Sequence, residues 1–152
     1  MKIIFDTCVL YPTVLRKILL GVAKEGLYKP VWSTQILDEW IHVTRKKNPI
    51  GQDTILAQVA LLKFQWPNSL AKDYDFDTRS LWLPDENDVH VLASAISSDA
   101  EAILTLNRKD FPKKILEDYG IVRYSPDEML KSLWIDNSEI IILYAGSGFK
   151  RK

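Results

Sequence analysis

Cysteine, histidine and glycine are scarce in this chain of 152 residues, and each scarcity excludes a class of protein. The single cysteine, Cys8, has no partner for an internal disulfide. One cysteine and two histidines also form no Cys/His cluster of the kind that binds zinc. The six glycines are scattered and build no phosphate-binding loop. A disulfide scaffold, a zinc-binding module and a P-loop protein are therefore not expected.

Long apolar runs and an excess of charge are also missing. No segment reaches the roughly 18 apolar residues that a transmembrane helix requires, and the acid at position 6 argues against a signal peptide. Because 20 Lys and Arg balance 20 Asp and Glu, nucleic-acid binding would depend on local basic patches. Short basic clusters, each typical of a solvated surface, occur at 45–47, 108–109, 113–114 and 150–152. With a single cysteine, these features predict a cytoplasmic protein without membrane contact.

Short apolar runs alternate with amphipathic segments along the chain. The apolar runs predict strands, and helical spacing predicts helices, over the following ranges: strands 2–6, 28–33, 102–106 and 120–125; helices 12–25, 34–47, 52–66, 86–98, 112–119 and from Ser125 onward. This alternation is typical of an α/β fold in which a parallel sheet is covered on both faces. Residues 138–145 are ambiguous between strand and helix, and 146–152 are expected to be a loose tail.

Polar residues follow two of the predicted strands. Asp6 closes the first strand, and Asn107 and Asp110 follow the strand over 102–106. Because functional groups in such sheets gather at the carboxyl ends of the strands, we expect these residues at one edge.

Carboxylates also crowd the segment "LPDENDVHVLASAI" (83–96), just before a helix. Asp85 suits a helix cap, and acids in general suit a helix N-terminus. Asp88, however, shares a helix face with Leu92 and Ala95, and a carboxylate on a core-facing line must be paired, hydrogen-bonded or metal-bound. We therefore expect a functional acid at Asp88, with structural capping as the alternative.

Helical angles give less help elsewhere. Asp38 and Glu39 flank the apolar stripe of their helix on opposite sides, so the angle does not choose between them. His90 lies far from the apolar stripe of its helix and is expected to face solvent. A nucleophile–base pair of Cys8 and His90 is disfavoured, because a small thiol after a strand is ordinary core filling.

Four segments resemble, in order, the motifs of the PIN-domain nuclease family. "IIFDTCVL" (3–10) resembles the family's opening strand with its Asp-Thr-Asn-Val-Leu signature, and "STQILDEWIHV" (33–43) its second motif. "LPDENDVHVLASAI" is similar to the third motif. "AILTLNRKDFP" (102–112) resembles the Thr-x-Asn-x-x-Asp-Phe-Pro form of the bacterial toxin-like, VapC-type subgroup, and "YSPDEML" (124–130) a common ending of that subgroup. Two departures are Cys8, where the family has asparagine, and Asn107, where many relatives have aspartate.

The resemblance implies a single PIN-like three-layer domain over 1–135, with a C-terminal extension over 136–152 that is partly a flexible tail. It also implies metal-dependent RNA cleavage by a toxin with a cognate antitoxin and a homodimeric state. The implied catalytic and metal-binding residues are Asp6, Glu39, Asp88 and Asp110, supported by Thr7, Thr105 and Asn107. Neighbouring carboxylates raise one another's pKa, and a hard divalent cation relieves that conflict. Ligands that are all oxygen favour Mg²⁺ or Mn²⁺.

Other readings remain open. A haloacid-dehalogenase-like phosphatase needs a second aspartate where Cys8 stands, so that class is disfavoured. The main alternative is a catalytically inactive PIN-like scaffold that binds RNA or protein, which Cys8 and Asn107 favour and the four retained acids disfavour. Most of the five tryptophans are expected in the core or an interface. Exposure of Trp82 beside the acidic segment would instead favour stacking on nucleobases.

Overall fold

The centre of the molecule is a parallel sheet with the strand order β2-β1-β3-β4. The structure, a computed structural model, describes residues 1–146, apart from the side chains of 51–53. Within this range the strands are β1 (Lys2–Phe5), β2 (Lys29–Val31), β3 (Ala102–Leu104) and β4 (Val122–Tyr124). In this register Ile4 of β1 lies between Val31 of β2 and Ile103 of β3. The carboxyl ends of all the strands therefore meet at one edge of the sheet.

Helices connect and flank the strands. Those that the structure describes are α1 (Thr7–Leu10), α2 (Thr13–Lys24), α3 (Thr34–Lys47), α4 (Gln52–Gln65), α5 (Val89–Ser97), α6 (Lys113–Glu117) and α7 (Pro126–Ala145). Short 3₁₀ turns occur at Pro49–Gly51, Thr78–Ser80, Glu86–Asp88 and Arg108–Asp110. The predicted α/β fold with a parallel sheet flanked by helices is confirmed, and the short α1 is the helix that the sequence patterns did not predict.

The caps of the helices follow the sequence signals. Ser33 accepts a hydrogen bond from the backbone N–H of Ile36 at 3.0 Å and so starts α3. Ser125 and Glu128 form a reciprocal capping box at the start of α7. Gly26, which ends the α2 segment, has a φ of 85°, a conformation that glycine adopts without a side-chain clash.

The core lies on both faces of the sheet. Ile3, Ile4 and Phe5 of β1 are fully buried, as expected for a central parallel strand. Trp32 and Trp40 are also buried, and the ring of Phe5 lies 6.0 Å from that of Trp32. Burial of these large aromatic rings supplies much of the hydrophobic stabilisation of the fold.

The ambiguous segment 138–145 is helical and forms the last part of α7. The helix is kinked at Asn137 (φ −138°, ψ 29°), and its second half packs against α2. Tyr144 donates a hydrogen bond to the Glu25 carboxylate at 2.7 Å, and its ring lies where a side chain on Gly21 would be. The division into 1–135 and 136–152 stays a prediction, and positions 147–152 of the expected loose tail lie outside the described residues. No helix within 1–146 is long and apolar enough to cross a membrane.

Candidate active site

Asp6 occupies the centre of the candidate site because it directly follows the central strand. Its backbone N–H donates to the carbonyl of Leu104 at 3.0 Å, which continues the pairing of β1 with β3. Its side chain then caps α1, since Oδ1 accepts a hydrogen bond from the N–H of Thr7 at 2.9 Å. Only 5% of Asp6 is exposed. The local fold thus fixes a buried carboxylate at the carboxyl edge of the sheet.

Two further donors hold the second oxygen of Asp6. Thr105 Oγ1, from the end of β3, donates to Oδ2 at 2.8 Å, and Cys8 Sγ lies 3.4 Å from the same oxygen. Burial raises the pKa of Asp6; the hydrogen bonds from Thr105, Cys8 and Thr7 oppose that rise, and the charge of Glu39 adds to it. The two threonines predicted as supporting residues therefore both hold carboxylates.

Glu39, on α3, reaches the site from the β2 side of the sheet. Its Oε1 accepts a hydrogen bond from Thr7 Oγ1 at 3.2 Å and lies 3.0 Å from His90 Nε2. Asp38, the neighbouring acid that the helical angle left equivalent, is exposed. The structure thus brings Glu39, and not Asp38, to the edge that carries Asp6.

The prediction that His90 faces solvent was wrong, since only 8% of the residue is exposed. Six consecutive residues of α5, from His90 to Ala95, are buried, so this helix has no solvent face at its start. A prediction from the helical angle assumes that a helix has one buried face and one solvent-exposed face, so it fails for a helix that is buried on all sides. His90 Nε2 is close to Glu39, but neither ring nitrogen makes a well-directed hydrogen bond within the described residues.

Asp88 lies at the end of the 3₁₀ turn that leads into α5, and it is partly buried. Asp85 provides the cap, because its Oδ1 accepts a hydrogen bond from the N–H of Asn87 at 2.9 Å, whereas Asp88 makes no capping hydrogen bond. Burial raises the pKa of Asp88 to about 7, and the charges of Asp6, Asp110 and Asp85 contribute to the rise. The capping alternative for Asp88 is therefore not what the structure shows.

Asp110 closes the 3₁₀ turn after β3 and is partly buried on the side of the site opposite Glu39. Its charge contributes to the raised pKa of Asp88. Asn107 is exposed, and its backbone N–H donates to Thr105 Oγ1 at 3.0 Å, while its side chain makes no capping hydrogen bond. Asn107 therefore supports the site through its backbone.

Electrostatic coupling connects the four predicted acids in a series. The charge of Glu39 raises the pKa of Asp6, and the charges of Asp6 and Asp110 raise the pKa of Asp88. Within residues 1–146, no group of three or more His, Cys, Asp or Glu side chains is close enough together to hold a metal ion. The acids thus form neighbouring pairs rather than a closed cage. The donor set still fits Mg²⁺ or Mn²⁺ in its chemistry, because it consists of carboxylate oxygens whose repulsion a hard cation would relieve.

The comparisons with known proteins identify the family of this chain. The sequence profile described as PIN domain matches residues 2–109, which include Asp6, Glu39 and Asp88. The chain belongs to the PIN domain family. This PIN domain is also 39% identical, over 67 residues, to a protein of Mycobacterium tuberculosis named "Putative ribonuclease VapC50". That match covers 42% of this chain and 40% of the relative, so the chain spans well under two thirds of the relative's length. No solved structure matches the chain.

The contacts of Cys8 and His90 with the acids of this PIN domain were missed by sequence reasoning. Cys8 Sγ contacts Asp6 and accepts a hydrogen bond from the N–H of Leu106 at 3.3 Å. Burial, and then the charge of Asp6, raise the pKa of Cys8 to about 12. The thiol therefore stays protonated and acts as a hydrogen-bond donor, not as a nucleophile. The signal for Cys8 was its position two residues after Asp6; nothing in the sequence pointed to His90.

Proposed function

We propose that this PIN domain is an endoribonuclease that hydrolyses RNA phosphodiester bonds with the help of Mg²⁺ or Mn²⁺. The observation that carries the proposal is the state of Asp88. Burial and neighbouring acids raise the pKa of this carboxylate to about 7, yet it has no part in capping its helix. Strongly perturbed carboxylates in a polar site are candidates for function, because the fold gains no stability from them.

Asp6 and Asp88 would hold the ion most directly, with Glu39 and Asp110 on either side. When bound, such an ion polarises the phosphate, lowers the pKa of a water molecule and stabilises charge on the leaving oxygen. The chain's own contribution is orientation. Thr7, Cys8 and Thr105 fix both oxygens of Asp6, so that carboxylate is held ready before any ligand arrives.

Glu39 would orient the attacking water or bind a second ion. Both of its contacts, with Thr7 and with His90, use Oε1. Oε2 therefore remains able to accept a hydrogen bond from water beside the phosphate. Asp110, whose charge also raises the pKa of Asp88, would bind a second ion, orient water or contact substrate.

The toxin role rests on the VapC-type motifs and on the partial similarity to VapC50. A cognate antitoxin, a homodimer and a cytoplasmic location accompany that role as inherited expectations. They are tested by expressing the chain alone, which should arrest growth, and by asking which protein of the source organism relieves the arrest.

An inactive scaffold is the second candidate, because the acids of residues 1–146 form no closed cluster of three and Asn107 is exposed. A scaffold would bind no divalent ion at millimolar concentration. Titration of Mg²⁺ and Mn²⁺, followed by tryptophan fluorescence, separates the two candidates.

The decisive experiment incubates the purified protein with a mixed RNA pool in Mg²⁺, in Mn²⁺ and in chelator. The wild type should cleave only with metal, and Asp6→Ala and Asp88→Asn should be inactive. Asp38→Asn is the matched control, because Asp38 is an exposed acid on the same helix as Glu39 and should leave cleavage unchanged. Cleavage in chelator, or full activity in Asp88→Asn, would overturn the proposal.

A further inference from the structure

A cleft of about 1510 Å³ adjoins the acids on the α3 side of the molecule. Glu39 and His90 belong to its lining, together with residues of the 3₁₀ turn Thr78–Ser80 and of the segment that leads to α5. Glu39 also accepts a hydrogen bond from Thr7 beside Asp6, so Glu39 belongs both to the cleft lining and to the candidate active site. We call it the Trp82 cleft, after the largest aromatic side chain in its lining.

Trp82 presents its indole to solvent on an anchored segment of backbone. The residue is 66% exposed, whereas its neighbours Leu81 and Leu83 are 8% and 3% exposed. The two buried leucines fix the position of the backbone on both sides of Trp82. Tyr74 also lines the cleft, is 36% exposed and packs its ring 5.6 Å from that of Phe76.

The acidic side chains in the lining of the cleft disfavour the binding of phosphate. Glu39, Asp85 and Glu86 are acidic members of its lining. Arg79 is the only Lys or Arg in that lining, and Asp77 engages its guanidinium at 2.9 to 3.1 Å. An RNA backbone would therefore be repelled here, whereas a neutral, planar base would not.

The side of the candidate active site opposite the Trp82 cleft carries exposed basic side chains. The sheet order places β2 and α3 on one side of β1, and β3 with the turn Arg108–Asp110 on the other. Arg108 and Lys109 are exposed on that turn, although Arg108 also pairs with Glu128 at 3.3 Å. Phosphates are thus better accommodated on the Asp110 flank, and bases on the Trp82 flank.

We propose that the Trp82 cleft binds an unpaired nucleobase of the RNA substrate, which stacks on the Trp82 indole next to the phosphate to be cleaved. The inference rests on the proposed ribonuclease function and adds to it the side chain that contacts a base of the substrate. A base inside a duplex has both faces stacked on its neighbours, so it is not free to enter the cleft. Stacking on an aromatic side chain tolerates every base, because every base has a π-face.

The test measures binding without cleavage. Fluorescein-labelled 12-nucleotide RNAs are titrated in chelator with the full chain and followed by anisotropy. The RNAs are a single strand, the same sequence in a duplex, and a single strand with abasic positions. Trp82→Ala should weaken single-strand binding roughly tenfold, and Trp82→Phe should retain most of the affinity because a ring remains. The abasic strand should bind the wild type and Trp82→Ala equally.

Phe64→Ala is the matched control, since Phe64 is 82% exposed but does not line the cleft. It should bind single strands as the wild type does. Equal affinity of wild type and Trp82→Ala for the single strand would overturn the inference. So would an equal loss with the abasic strand, which would indicate backbone contacts. A change of oligomeric state in Trp82→Ala with unchanged RNA affinity would mark the surface as a contact between protein copies, and the inference would again be wrong.

The two proposals fail in different ways. If the wild type cleaves RNA but Trp82→Ala binds normally, the ribonuclease function stands and the stacking site is wrong. If binding depends on Trp82 but no metal supports cleavage, the stacking site stands and the ribonuclease is wrong. If the wild type cleaves RNA with metal but binds no single strand in chelator, the stacking site is wrong. If it neither binds RNA in chelator nor cleaves RNA with metal, both are wrong.

Discussion

Replacing Asp88 by asparagine is expected to stabilise the folded protein above neutral pH while it removes cleavage. The pKa of Asp88 is about 7 in the folded protein and about 3.8 in an unfolded chain. Between these values the folded state binds the proton that the unfolded state has lost, so the wild type loses stability as the pH rises from 4 to 7. Asparagine does not titrate, so the variant does not lose stability over this pH range.

The size of the effect follows from the gap between the two pKa values. At 1.36 kcal/mol per unit of pKa, the gap corresponds to about 4 kcal/mol as an upper limit. Asp88 is only partly buried, and solvent screening reduces the value. We therefore expect Asp88→Asn to be more stable than the wild type by roughly 1–2 kcal/mol at pH 8, and by close to zero at pH 4.

Urea unfolding at four pH values between 4 and 8.5, in chelator, measures this difference. Asp38→Asn is the control, because Asp38 is exposed, and its difference from the wild type should not change with pH. Millimolar Mg²⁺ should stabilise the wild type above pH 7 and not the Asp88 variant, since a ligand that binds only the folded state stabilises it. A pH-independent difference, or a less stable variant at pH 8, would refute the reasoning.

Three further substitutions test other contacts. Thr105→Val removes the hydroxyl that donates a hydrogen bond to Asp6 at 2.8 Å. The Mg²⁺ concentration for half-maximal cleavage should therefore rise about 10- to 100-fold. An unchanged metal requirement would show that Thr105 only ends its strand. Gly21→Ala should displace the Tyr144 ring, and amide exchange over 138–145 should therefore become faster. The higher helix propensity of alanine should offset about 1 kcal/mol of the loss in the free energy of unfolding. Unchanged exchange would contradict the packing of α7 on α2. Cys8→Ala should keep cleavage within about tenfold, because the thiol is protonated and only orients Asp6; a complete loss in a folded variant would restore the thiol as a reactive group.

The sheet, and the position of Asp6 and Asp110 after neighbouring strands at its carboxyl edge, could be predicted from the sequence. Apolar runs mark buried parallel strands, and the carboxyl ends of such strands share an edge whatever the connections between them. The partial burial of Asp88 agrees with its predicted place on the core side of a helix, and its functional role stays a prediction. In these cases a local pattern is enough.

The helical pattern did not decide between Asp38 and Glu39, a choice that only the resemblance to the family made, and it did not predict the burial of His90. Both depend on which element covers which side of a helix, and a helical angle measured on one segment has no information on its neighbours. Likewise, no pattern predicts that Thr105 donates to Asp6, since the two residues are 99 positions apart and meet only through the pairing of β3 with β1.

The central place of β1 in the sheet has a consequence for biosynthesis. β1 pairs with β3, so the Asp6 carboxylate receives its Thr105 donor only after the chain has been extended by the 99 positions that separate the two residues. A nascent chain therefore carries Asp6 with its local partners Thr7 and Cys8 but without the Thr105 donor. The Asp6 carboxylate is fully oriented only after β3 has paired with β1.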